Sequence, residues 1–143
     1  MPRFSIVIPT HDRGENGPKW MRELLDSLKI QTFQDFDIVV PDQSKNDKIL
    51  DTCKEYSEDF EFTYIRYEGE VPCENINIGL RECEGESVKI MFSDDVFVDS
   101  NALQIINDTY TSTNCKWAFS GFCGTRDGKN TYAHRVPRWT EHT

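Results

Sequence analysis

The 143-residue chain carries 25 Asp and Glu against 16 Lys and Arg, a formal net charge of −9, with 37% hydrophobic and 29% charged residues. Its length, within the ~100–200 residues typical of one domain, predicts a single domain, and the apolar share argues against wholesale disorder. So acidic a surface repels polyanions and makes nucleic acid and anionic membrane poor partners, although a metal ion or a local Arg can invert the field at one nucleotide site.

In chain order, Phe4-Ser5-Ile6-Val7-Ile8 reads as a buried strand closed by Pro9. Gly14 to Pro18 is a loop, and Pro18 suits a first helical turn. Trp20, Met21, Leu24, Leu25 and Leu28 then recur at helical spacing. Phe36 to Val40 is a second strand ended by Pro41, and Asp47 to Tyr56 a second helix. Phe62 to Ile65 is a third strand, Cys73 to Cys83 a third helix and Val88 to Phe92 a fourth strand. Asp99 or Ser100 caps a helix carrying Ala102, Leu103, Ile106 and Tyr110. Trp117-Ala118-Phe119 reads as a fifth strand, and residues 124–143 as a polar tail. Regular alternation of strand and helix predicts an α/β domain with a mostly parallel sheet.

No apolar run reaches the ~18–20 residues of a membrane span, and the opening MPRFSIVIPT lacks the regions of a signal peptide. The five cysteines (53, 73, 83, 115 and 123) form no C-x-x-C pair. Reduced thiols in a cytoplasmic protein are therefore expected, with no disulfide framework and no zinc site.

In parallel sheets, ligands bind beyond the carboxyl ends of the strands. Strand one runs into Thr10-His11-Asp12-Arg13, strand two into Asp42-Gln43-Ser44 and strand four into Ser93-Asp94-Asp95. Adjacent carboxylates after a buried strand repel unless a cation offsets them, and such oxygens suit Mg²⁺ or Mn²⁺ bridging to phosphates. A solvated acidic turn is the competing reading. Asp42 suits a base N–H or a ribose hydroxyl, or equally an Asx-turn. Arg13 suits a phosphate, or a surface pair with Asp12. Neither a G-x-G-x-x-G nor a P-loop sequence is present, which removes the main support for dinucleotide and P-loop chemistry.

These motifs resemble those of the family 2 glycosyltransferases. Ile8-Pro9-Thr10-His11-Asp12-Arg13 stands where the family carries Pro-Thr-Tyr-Asn-Arg. Leu24 to Leu28, Gln31-Thr32-Phe33 and Phe36 to Val40 follow its next helix and strand. Asp42-Gln43-Ser44, the Asn75–Gly79 segment and Ser93-Asp94-Asp95 complete the order, over roughly residues 4–122. The resemblance implies a GT-A fold: a three-layer, Rossmann-like, mostly parallel sheet with helices on both faces, the whole chain forming one nucleotide-sugar-binding domain. It implies a metal-dependent, inverting transfer from a UDP-sugar to a saccharide, protein or lipid acceptor. Thr10, His11 and Asp42 would line the uracil and ribose pocket, Arg13 would lie near the nucleotide, and Gln43 and Ser44 would shape the floor. Asn77 would lie near the sugar-nucleotide side, and Asp94 close to the ribose or sugar. Asp95 would ligate Mn²⁺ or Mg²⁺.

Two departures stand out. Ser93 occupies a place that is often acidic in the family, and 143 residues leave almost no acceptor region. Glu141 is the candidate base, with Asp127 behind it and a solvated tail residue as the competing reading. His142 is a candidate metal ligand, against an ordinary surface imidazole. Two readings follow: a small glycosyltransferase, with the acceptor side completed by an oligomer or a partner chain, or a nucleotide-sugar-binding module without efficient transfer.

Overall fold

The computed structural model describes residues 3–118, 120–126 and 129–134, with the backbone alone for 13, 125, 126 and 129–134. The chain divides into two compact units, Met1–Ile106 and Asn107–Thr143.

The first unit is a parallel sheet of β1 (Phe4–Val7), β2 (Phe36–Asp42), β3 (Phe62–Arg66) and β4 (Ser87–Ile90), in the order β3-β2-β1-β4. Its helices are α1 (Gly17–Lys29), α2 (Lys48–Glu55), α3 (Pro72–Arg81) and the start of α4 (Ala102–Thr113). Strand residues in register share a face. Ile6 pairs with Ile38, and both are fully buried with Met21, Leu24, Leu25 and Leu28 of α1, Ile49 of α2 and Leu103 of α4. The apolar spacing in α1 explains this: positions three and four apart form one stripe, and each buried Leu contributes about 1.5–3 kcal/mol.

The opposite face carries Val7, paired with Val39, and α3 crosses it at Gly79. A Cβ there would come within 2.7 Å of Pro41 Cγ and 2.9 Å of Val7 Cγ1. Gly79→Ala is therefore expected to destabilise the fold by about 1–3 kcal/mol through overpacking, read as a lower urea midpoint at unchanged m-value. The α/β architecture with helices on both faces thus agrees with the sequence reading.

Most ends shift by one or two residues, β4 for instance running Ser87–Ile90 and not to Phe92, and two further differences have a physical reason. Pro41 does not end the second strand, because β2 runs on to Asp42. Proline lacks only the N–H. Its carbonyl accepts from the Thr10 amide at 3.0 Å and from Asn75 Nδ2 at 3.0 Å, while Pro41 stays in register with Ile65. The expected strand at Trp117 is absent: Trp117 and Ala118 form no strand, and Trp117 is largely exposed. The second unit instead contains an antiparallel hairpin of β5 (Phe122–Arg126) and β6 (Lys129–His134), in part of what the sequence presents as a polar tail.

Past α1, Gln31 organises the chain that follows the acidic pair. Its Nε2 donates to Ser27 O at 3.0 Å and Asp99 O at 2.8 Å, and its Oε1 accepts from the Leu103 amide at 3.0 Å. One buried amide thereby satisfies groups at the end of α1 and the start of α4, where helical backbone lacks its own partners.

Candidate functional site at the carboxyl edge of the sheet

The carboxyl ends of β1 and β2 are tied together by side chains. Thr10 bridges to Asp42, with the Gln43 amide donating to Thr10 O at 3.0 Å. The Asp42 side chain is wholly buried. Its Oδ1 accepts from Thr10 Oγ1 at 3.1 Å and from the Ser44 amide at 2.8 Å, and its Oδ2 accepts from Tyr64 Oη at 2.7 Å. The Arg66 guanidinium lies 4.0 Å from Oδ2. A buried carboxylate needs donors and a counter-charge of this kind. The same hydrogen bond raises the Tyr64 hydroxyl well above its ordinary range, after burial as the larger cause.

Asp12 is equally engaged. Its amide donates to Ser44 Oγ at 2.8 Å. Its carboxylate accepts from the Gly17 amide at 3.2 Å and from Asn46 Nδ2 at 3.0 Å, with Lys48 Nζ at 3.8 Å. The start of α1 and the loop before α2 are therefore fixed to the same strand ends.

Above these ends opens a cavity of about 690 Å³, lined by His11, by the loop residues Gln43, Ser44, Lys45 and Asp47, by Arg66, and by Tyr67 to Glu70. The Gln43 side chain crosses to Gly69 O at 3.1 Å and joins the two walls. His11 Nδ1 is buried without a hydrogen-bond partner among the described residues. Such an orphaned atom lacks the partner that buried polar groups ordinarily have.

Asp94 and Asp95 follow β4, on the other side of β1 in the strand order. Partial burial, and next the charge of Asp94, raise the Asp95 carboxyl above its ordinary value, with Lys89 opposing. Among the described residues no group of three His, Cys, Asp or Glu side chains is arranged to hold a metal. The donor set still fits a hard cation of the Mg²⁺ type. Such an ion is commonly held by one or two carboxylates and completes its shell with water and substrate phosphates. Asp95 would hold it there, beside Asp94.

The structure thus brings Thr10, His11, Asp42 and Ser44 together, with Asp94 and Asp95 farther along the same edge. Thr10 and Asp42 stand behind the cavity wall, while His11 and Ser44 line it. Asn77 is exposed on α3, where it lines a smaller cavity of about 230 Å³ with Glu74, Ile78 and Arg81. Asn75 is the buried asparagine, bound to Pro41 O and Thr10 O. Arg13 opens a 3-10 turn, Arg13–Glu15, and its side chain lies outside the described part. Glu141, His142 and Asp127 lie outside the described residues.

Sequence reasoning missed Tyr64, Arg66 and the wall from Tyr67 to Glu70. The edge rule contained the signal, since Arg66-Tyr67-Glu68 ends the third strand just as the singled-out clusters end the others. No sequence signal marked Asn75 as buried.

An open parallel sheet with a polar cavity and an acidic pair at its carboxyl edge defines an open α/β domain with its candidate site where such sheets take their ligands. The model of glycosyl transferase family 2 matches residues 5–141, and the chain belongs to that family. It is 32% identical over 99 residues to the poly(ribitol-phosphate) beta-N-acetylglucosaminyltransferase TarS of Staphylococcus aureus, covering 66% of this chain and 17% of TarS. It is 31% identical over 94 residues to the glycosyltransferase GlyA of Streptococcus pneumoniae, covering 65% and 13%. The crystal structure of S. aureus TarS 1-349 in complex with UDP superimposes with a TM-score of 0.69 at 27% identity, over 78% of this chain and 33% of that one. The same fragment has been solved with UDP-GlcNAc, at a TM-score of 0.67. These neighbours are glycosyltransferases, and the parallel sheet described above is their GT-A fold. The chain spans less than a fifth of the length of these two curated relatives.

Proposed function

We propose that this chain binds a UDP-sugar at the carboxyl edge of its sheet and transfers the sugar, with inversion, to a saccharide, protein or lipid acceptor. One observation carries the reading: a polar cavity over β1, β2 and β3 is continuous in strand order with a carboxylate pair after β4. The uridine would occupy the cavity, with His11 and Ser44 at its wall and Asp42 behind them. The diphosphate would then reach toward Asp94 and Asp95. Family membership and the UDP and UDP-GlcNAc complexes of TarS support this assignment.

A divalent cation, Mn²⁺ or Mg²⁺, when bound, would supply Lewis-acid stabilisation of the leaving diphosphate. The chain's own residues bind and orient. The buried network around Asp42 holds the strand ends together and His11 Nδ1 is available for a hydrogen bond. Asp94 would face the ribose or sugar and Arg13 would lie near the nucleotide, while Asn77, which lines a separate small cavity on α3, would reach only the outer, sugar side. Glu141 is our assignment for the base that takes the acceptor hydroxyl proton, and His142 for an additional metal ligand.

No helix among the described residues is long and apolar enough to cross a membrane. We place the chain in the cytoplasm, the setting that five cysteines without a C-x-x-C pair suit.

Calorimetry on the full chain tests the proposal. UDP is expected to bind, and more tightly with Mn²⁺ than with chelator, and UDP-GlcNAc is the first donor to assay for turnover. Binding without any transfer or donor hydrolysis would make the chain a nucleotide-sugar-binding module, completed by an oligomer or a partner chain. No UDP binding under either condition would overturn both readings.

A further inference from the structure

We propose that Arg66 is the positioning residue of the cavity, a clamp that holds the loop of residues 43–47 in the shape that receives a nucleoside diphosphate. The inference rests on the UDP-sugar reading above and names a residue through which that site is built.

Arg66 is the last residue of β3 and stands in register with Asp42. Its Nη1 donates to the carbonyls of Ser44 and Asn46, the latter at 2.8 Å. Its Nη2 donates to Asp47 Oδ1 at 2.6 Å. The guanidinium lies over the Tyr64 ring at 5.7 Å, and the hydroxyl of that ring holds Asp42. One side chain thus grips three residues of a loop that supplies Gln43, Ser44, Lys45 and Asp47 to the cavity wall. Turns of this kind have carbonyls that no strand or helix satisfies, and without a donor they would reorient toward water. A planar guanidinium reaches several acceptors at fixed angles, whereas a Lys ammonium supplies charge without the fork.

Both Nη atoms are engaged by protein acceptors of the loop, so the guanidinium's grip is first of all on that loop. A loop fixed before the ligand arrives spares the ordering cost of binding. Tyr64 is the second part of the device, because it supports the guanidinium from one side and orients Asp42 from below.

The test uses the full chain, UDP with Mn²⁺ as the probe, and Arg66→Met, Arg66→Lys and Asp47→Asn as variants. Two readouts are needed: the UDP Kd, and amide exchange at Ser44 and Lys48, whose N–H groups donate to Asp42 Oδ1 and Asn46 Oδ1. Arg66→Met is expected to raise the Kd by at least about tenfold and to speed exchange at both amides, with the α1 amides unchanged. Arg66→Lys is expected to recover only a small part of either. Asp47 is largely exposed, so its substitution leaves the core intact; it is expected to move both readouts the same way by less. This variant decides the matter if Arg66→Met fails to fold. Unchanged Kd and exchange in Arg66→Met would overturn the clamp, and full recovery in Arg66→Lys would show that charge alone suffices. If the unaltered chain binds no UDP, the UDP-sugar reading falls, while the exchange rates still decide whether Arg66 holds the loop.

Discussion

Asp42→Ala is expected to cost about 3–5 kcal/mol of folding stability and to weaken UDP binding whether or not a metal is present. The Thr10 hydroxyl, the Ser44 amide and the Tyr64 hydroxyl would lose their acceptor in a site closed to water, and Arg66 would keep only Asp47 as a counter-charge. Removing one member of a buried, charge-compensated group leaves its partners desolvated and unpaired, which is why the loss exceeds that of an average hydrogen bond. Urea denaturation measures the first effect and calorimetry the second. Asp42→Asn keeps one carbonyl acceptor and should lose less stability than the alanine variant. Equal stability of Asp42→Ala and the parent chain would contradict the network, and loss of the Mn²⁺ dependence alone would contradict the assignment of base-side and metal-side roles.

Asp95→Ala is expected to abolish the Mn²⁺-dependent part of the UDP affinity while leaving the metal-free affinity in place. Its pH dependence carries a sign that can be checked. Burial and the neighbouring Asp94 raise the Asp95 carboxyl, so the folded protein keeps that proton to a higher pH than an ordinary aspartate does. A cation must displace the proton. The apparent Mn²⁺ affinity of the UDP complex should therefore begin to fall, as pH is lowered, above the ordinary carboxylate range. The linked stability runs the other way without metal. In the window between the unfolded and the raised folded value, the folded state binds more protons, so stability falls as pH rises. Saturating Mn²⁺ should flatten that fall, and Asp95→Asn should remove it. A metal affinity that does not change with pH through this window would show that the cation is held elsewhere.

The fold was legible to the extent that it is local. The stripe Met21, Leu24, Leu25 and Leu28 sits at helical spacing, and the runs Phe4–Ile8 and Phe36–Val40 are short, apolar and β-branched. Neither pattern needs a distant partner to be read, and the helix and both strands form over those residues. Pro41 reads as a strand end, yet proline breaks a strand only where its missing N–H is needed, and that depends on the neighbouring strand. Trp117-Ala118-Phe119 has strand-like residues, but no periodicity in so short a run says whether a second strand lies alongside.

The site divides in the same way. Residue type and the edge rule picked out Thr10, His11, Asp42, Ser44, Asp94 and Asp95, and these stand along one edge because parallel strands all end on one side. Sequence did not separate residues that line the cavity from those behind its wall. Asp42 and Ser44 lie two positions apart, yet Asp42 is sealed by Thr10, Tyr64 and Arg66 while Ser44 lines the cavity. Nor could it separate Asn75 from Asn77: helical geometry turns one toward the β1–β2 strand ends and the other outward, and only the packing of α3 at Gly79 sets which.

By itself the sequence determined a parallel α/β sheet, the family and the chemical kinds of residue at the strand ends, since periodicity, composition and motif order are properties of neighbouring residues. Only the tertiary structure decided which side chains share a buried network, which face the cavity, and that Arg66 at the end of β3 grips the loop after β2. Those contacts join residues about twenty positions apart in the chain, and register and packing alone bring them within hydrogen-bond distance.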